Sequence, residues 1–87
     1  MSKVIFSFKG KETTIQCLKE DKMIDICLKF ASKIAININN IYFIYNGIII
    51  INMELKYNET ANRTDKDRNI MNILVYEKEN NGKNISL

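Results

Sequence analysis

Histidine, tryptophan and proline are absent from the 87 residues, while arginine and cysteine occur twice each and glycine three times. Each shortage removes a class of function. Without histidine, the usual base for activating a nucleophile is missing. Two cysteines, Cys17 and Cys27, are too few for a structural zinc or an iron–sulfur cluster. No metal, cofactor or enzymatic activity is expected. No run of about 18 apolar residues exists to cross a membrane. The N-terminus also lacks the charged head, apolar core and cleavage site of a secretory signal. The expected location is the cytoplasm or nucleus, where both thiols stay reduced. The glycosylation sequons at Asn58, Asn62 and Asn84 are then chance products of an asparagine-rich chain.

An excess of one charge is also missing. The net charge of +3 comes from 13 basic and 10 acidic residues spread along the chain, with no basic stripe to track a nucleic acid. What is present is ordinary globular material: 46% apolar and 26% charged residues, well away from the composition of disorder. A chain of this length holds one compact domain, burying about 60–65% of its unfolded surface. Sixteen isoleucines, twelve asparagines and eleven lysines point to A/T-rich codons and to a protist genome as the expected source. Asparagine clusters such as Asn39-Asn40 and Asn80-Asn81 are therefore not read as sites.

Val4, Phe6 and Phe8 alternate with Ile5 and Ser7, which predicts a strand. Gly10 supplies a turn, and Thr13, Ile15 and Cys17 alternate in a second strand, completing a hairpin. From Met23 the period changes. Met23, Ile26, Cys27, Phe30, Ala31 and Ile34 recur at three and four, against a polar stripe of Asp25, Lys29, Ser32 and Lys33. A helix over about 22–35 is predicted, with Asp21 as its N-cap and Asn37 or Asn39 ending it in the left-handed conformation. Both cysteines fall on inward faces and read as inert core thiols.

The stretch IYFIYNGIIIIN reads as a strand Ile41–Tyr45, an Asn46-Gly47 turn and a short strand Ile48–Ile51. Residues 52–69 show little pattern beyond Leu55, Tyr57 and Ala61, so a long loop is expected, either holding some local structure or mobile. The last strand runs from Ile70 to Tyr76, setting Met71, Ile73 and Val75 against Asn72, Leu74 and Tyr76. Residues 79–87 carry too little apolar area to order themselves, giving a domain over 1–78 and a tail.

Four segments in this order carry a resemblance: the hairpin turning at Gly10, EDKMIDICLKF as the helix, YFIYNG as a strand entering a glycine turn, and NIMNILVYE as the last strand. Over residues 4–78 the chain resembles the ubiquitin-like family. The resemblance implies an α+β β-grasp fold, a mixed sheet of four to five strands with one main helix on one face. Conjugated members close on two adjacent glycines and commonly carry an arginine near the tail. This chain has no glycine pair, and Tyr76 stands roughly where that arginine would be. A non-conjugated interaction domain is therefore expected, as the N-terminal module of a larger protein.

With Phe43 and Met71 beneath the helix, the pleat turns Tyr42, Ile44, Leu74 and Tyr76 to the opposite face. The resemblance makes positions matching Ile44 and Leu74, with the Lys9-Gly10 turn, the surface that receptors recognise. Aliphatic and tyrosine side chains free of charge are also what interface cores favour. The expected partner is a protein, of the ubiquitin-receptor or proteasome type. A second reading is self-association, giving a monomer or weak dimer. It would use the edge Ile48, Ile49, Ile50 and Ile51, of which a short edge strand must expose about two. Asp65 and Asp67 offer a charge-based version, since Asp65-Lys66-Asp67 resembles the acidic motif of Phox-and-Bem-type interaction domains; the plainer reading is a solvated loop.

Overall fold

The computed structural model describes residues 1–79. Five strands form one mixed sheet: β1 (Ser2–Phe8), β2 (Lys11–Cys17), β3 (Ile41–Tyr45), β4 (Ile48–Ile49) and β5 (Ile70–Glu77). Their order is β2-β1-β5-β3-β4, with β1 and β5 parallel in the centre and the remaining pairs antiparallel. Helix α1 (Met23–Lys33) covers one face. The predicted alternation holds in every long strand. Val4, Phe6, Ile15, Cys17, Phe43, Met71, Ile73 and Val75 are buried against Met23, Ile26, Cys27 and Phe30. Aromatic packing sets the core geometry: Phe6 stacks on Phe30 at 4.4 Å between centroids, and Phe43 meets both edge-on.

Both hairpins turn as two-residue loops of the type whose twist matches the flanking strands, with both central residues at positive φ. Lys9 and Gly10 lie at 52° and 78°, Asn46 and Gly47 at 53° and 82°. Asparagine tolerates this region well; lysine takes it at some cost.

The ends of α1 depart from expectation. Asp21 is not the cap: its carboxylate accepts from the Leu18 amide at 2.9 Å, and Lys22 stands at the N-cap. The free first-turn amides go instead to a distant backbone, Met23 N–H to the Leu55 carbonyl at 2.8 Å and Ile24 N–H to Met53 at 2.9 Å. A return pair fastens the same segment, Tyr57 N–H to Asp21 and Asn58 N–H to Lys19. At the other end Ala35, rather than Asn37 or Asn39, is left-handed at φ 58°. Its N–H reaches the Ser32 carbonyl and that of Ile36 reaches Ala31, the pair of bonds that closes a helix on a left-handed residue. Glycine is the residue such a position favours. Ala35→Gly is therefore expected to raise stability by about 0.5–1 kcal/mol, read as a higher urea midpoint at unchanged slope.

Residues 52–69 hold more structure than expected. They contain α2 (Tyr57–Thr60) and α3 (Arg63–Arg68), so the acidic run is helical and not a solvated loop. Asn62 caps α3 by accepting from the Asp65 amide at 2.8 Å, and Asn69 ends it at φ 61°. Asn37 likewise accepts from Asn39 N–H at the 3-10 turn Ile38–Asn40. Asparagines thus punctuate the backbone at Asn37, Asn62 and Asn69. Strand β4 stops at Ile49, two residues short of expectation: Ile50 still donates to the Phe43 carbonyl, then turns inward with Met53 so that the chain can reach the start of α1. The expected tail, 79–87, lies almost wholly outside the described residues.

Candidate functional site

The sheet face opposite α1 carries the residues singled out in the sequence. Cross-strand register sets Ile44 directly beside Leu74 and Tyr42 directly beside Tyr76. Leu74 is 47% exposed and Tyr76 46%, while Tyr42 and Ile44 are half-buried. The two tyrosine rings stack at 5.8 Å between centroids, 26° from parallel, so each stiffens the other. The sequence reading missed one member: Ile49 lies opposite Ile44 and extends the row across β4. Its signal was available, since an edge residue paired with Ile44 must share its face. An apolar row Leu74–Ile44–Ile49 therefore crosses three strands with no charged side chain in it.

The Lys9-Gly10 turn follows Phe8, which pairs with Val75, and so lies near Tyr76 at the end of β5. Lys9 Nζ reaches Glu77 at 3.0 Å and lies 5.4 Å from the Phe8 ring centroid, which holds the lysine over the end of β5. Both partners of the ion pair are solvent-exposed, so the pair orients more than it stabilises.

The four edge isoleucines divide. Ile48, Ile49 and Ile51 are exposed, at 71%, 49% and 86%, and Ile50 is half-buried against the core. They line a shallow groove with Leu55 and Tyr45. Asp65 and Asp67 do not act together: Asp67 is exposed, whereas Asp65 accepts from the Tyr45 hydroxyl. That hydroxyl in turn accepts from Asn62 N–H at 2.9 Å, joining β3 to the start of α3. Sequence alone gave no hint of this node, because its members are 17 and 20 positions apart.

Burial, then the Asp65 carboxylate, pushes the Tyr45 phenol up to about 12, and burial does the same for Tyr57. An ordinary phenol ionises near 10. The folded state keeps these protons longer than the unfolded chain, so the stability they confer is whole below about pH 10. It is lost as pH rises toward 12. Tyr45→Phe should flatten that alkaline loss and remove one phenol ionising near pH 12, read by titration of phenolate absorbance. Burial also raises Cys17 to about 11 and Cys27 to about 12, leaving both thiols protonated and poor nucleophiles at neutral pH. Among the described residues no cluster of histidine, cysteine or carboxylate side chains is disposed to hold a metal.

Solved structures match this architecture. Two determinations of the ubiquitin-like domain of Arabidopsis thaliana protein At2g32350 align with TM-score 0.74, at 18% and 19% identity. They cover 90% and 92% of this chain and 87% and 80% of the other. The fold is the ubiquitin-like β-grasp. ATBAG1, solved in complex with HSP70, aligns with TM-score 0.73 at 7% identity, over 97% of this chain and 44% of that one. No family model matches the chain, and no curated protein matches its sequence. Identities this low carry the ubiquitin-like fold and nothing finer. The five-stranded α+β sheet and its covering helix agree with the fold class that the sequence predicts, with two short helices added.

Proposed function

We propose that this ubiquitin-like domain is a non-conjugated, non-enzymatic interaction module that binds a partner protein through the outer face of its sheet. The reading rests chiefly on one observation: the charge-free row Leu74–Ile44–Ile49, flanked by the stacked Tyr42–Tyr76 pair, lies on the face that α1 does not cover. Such a face offers rigid aromatic and aliphatic contact area at little cost in side-chain entropy. ATBAG1, which matches this fold over 44% of its own chain, was solved with a protein partner, HSP70, which supports protein interaction as the class of role. A ubiquitin-receptor or proteasome-type protein in the cytoplasm or nucleus is the partner proposed. Titrating an isotopically labelled sample with receptor domains of that type should shift the amides of Tyr42–Tyr45 and Leu74–Glu77. Shifts confined to α1 would exclude this face.

Self-association through β4 is a second reading, favoured by the exposure of Ile48 and Ile49 on this edge strand and of Ile51 just beyond it. A mass that rises with concentration and ignores salt supports it; a constant monomer mass rejects it. The charge version is weakened, because Asp65 is engaged by Tyr45 within its own chain.

A further inference from the structure

Where β1 and β5 begin, the sheet carries a polar corner that the apolar row does not use. A pocket of about 400 Å³ opens there, lined by Ser2, Lys3, Gln16, Arg68, Asn69 and Ile70. No carboxylate lines it, and among the described residues neither Lys3 nor Arg68 takes part in an ion pair. Two cations border one pocket with no acid of the chain's own to offset them, which favours an anionic ligand.

Backbone pairing fixes these groups. Register sets Lys3 between Gln16 on β2 and Ile70 on β5, and the Lys3 N–H donates to the Asn69 carbonyl at 3.0 Å. Asn69 ends α3 in the left-handed conformation, with Arg68 in the last turn on one side of it and Ile70, the first residue of β5, on the other. The Ser2 hydroxyl donates to Asn69 Oδ1 at 3.4 Å, which leaves the Asn69 NH2 as a donor, and Gln16 supplies a second carboxamide. The set is a lysine, an arginine whose planar fork binds two oxygens at once, and two amides. A carboxylate would use only part of it. A phosphate monoester, with nearly two negative charges and three acceptor oxygens, matches both the charge and the donors.

The pocket also belongs to the outer face. Strand alternation puts the exposed Lys3 and Gln16 with Ile70, Asn72 and Leu74 on the side away from α1. Leu74 lies four residues along β5 from Ile70, about 13 Å of extended chain. A protein lying over the apolar row reaches the corner from the same side. A nucleic acid is disfavoured, because two cations are too few to follow its backbone and no aromatic ring lines the pocket for a base to stack on. A free metabolite is disfavoured as well, since the mostly polar lining gives its organic part little to bury against. We infer that this corner receives a phosphorylated serine or threonine of the partner protein, a role that rests on docking along the outer face and sets what that partner carries: a phosphate about four extended residues from its apolar anchor.

The test uses synthetic peptides with leucine and phosphoserine four positions apart, in either order, their unphosphorylated counterparts, and inorganic phosphate. Titrated into the labelled domain, one phosphopeptide order should shift the amides of Lys3, Gln16, Asn69 and Ile70 together with Leu74. It should bind at least about tenfold more tightly than its serine counterpart, an advantage that salt shrinks. Inorganic phosphate should shift the corner alone and bind no more tightly. Lys3→Gln and Arg68→Gln replace exposed side chains, so both should keep the parent's urea midpoint, and each should cut the phosphate advantage at least about threefold. Equal binding of phosphorylated and plain peptides, an advantage that survives both substitutions together, or inorganic phosphate bound more tightly than the phosphopeptide would overturn the inference. Leu74→Ala should weaken both peptide forms alike and leave their ratio intact. A phosphate preference without shifts at Leu74 would uphold the corner and reject outer-face docking, whereas shifts at Leu74 without the preference would do the reverse.

Discussion

Tyr57→Ala is expected to cost about 3–5 kcal/mol, the range for truncating a buried aromatic ring. Tyr57 is wholly buried and is the bulkiest such side chain in the core. It opens α2, and its hydroxyl donates to the Lys3 carbonyl at 3.3 Å, so one residue ties the 52–69 segment to β1. Its backbone N–H on Asp21 belongs to the same clasp that supplies carbonyls to the start of α1. Losing the ring empties the core beneath α2 and loosens that clasp. Against a total of about 5–15 kcal/mol, such a loss leaves little, and the thermal midpoint should fall by roughly 15–30 °C. Tyr57→Phe keeps the ring and forfeits one long hydrogen bond, at a cost of about 0.5–1.5 kcal/mol. Thermal and urea unfolding of the two variants measure both effects. An alanine variant within 1 kcal/mol of the parent would mean that α2 is not part of the core.

Leu74→Ala should weaken partner binding by about 2 kcal/mol, near thirtyfold, the loss typical of a central anchor. Stability should change by no more than about 0.5 kcal/mol, because nearly half of the side chain already faces water. Ile44→Ala should act in the same direction, with an added cost of about 1 kcal/mol in stability, since Ile44 is half-buried between Leu74 and Ile49. Because these two neighbours share one contact, their losses should not add. Comparing the affinity of the receptor domain for each variant with its unfolding curve separates docking from folding. If both variants bind as the parent does, the outer face is not the docking surface. Loss of affinity matched by loss of structure would mean that the row serves the sheet alone.

The strands and α1 were legible because their signal is periodic and local. Alternation with period two placed Phe43, Met71, Ile73 and Val75 inside and Ile44 and Leu74 outside, and a one-residue slip would have exposed the whole set. The same pattern brought Tyr42 and Tyr76 to one face, although only the register revealed that their rings stack. The short elements were not legible. Helices of 4 and 6 residues have too few turns to show a period, and polar α3 buries none of its side chains, so its only sequence mark was the Asn62 cap.

By itself, then, the sequence determined which faces of the long elements are apolar, where both hairpins turn, and which chemistries lack their residues. The tertiary structure decided what depended on distant partners. Carbonyls of Met53 and Leu55 replace Asp21 as the cap of α1, Ala35 is held left-handed, and Tyr45 meets Asp65 across the chain. The physical reason is the range of the forces. Side-chain alternation is imposed by the geometry of each strand or helix, whereas an unpaired amide or carboxylate takes whichever partner the finished packing brings within about 3 Å.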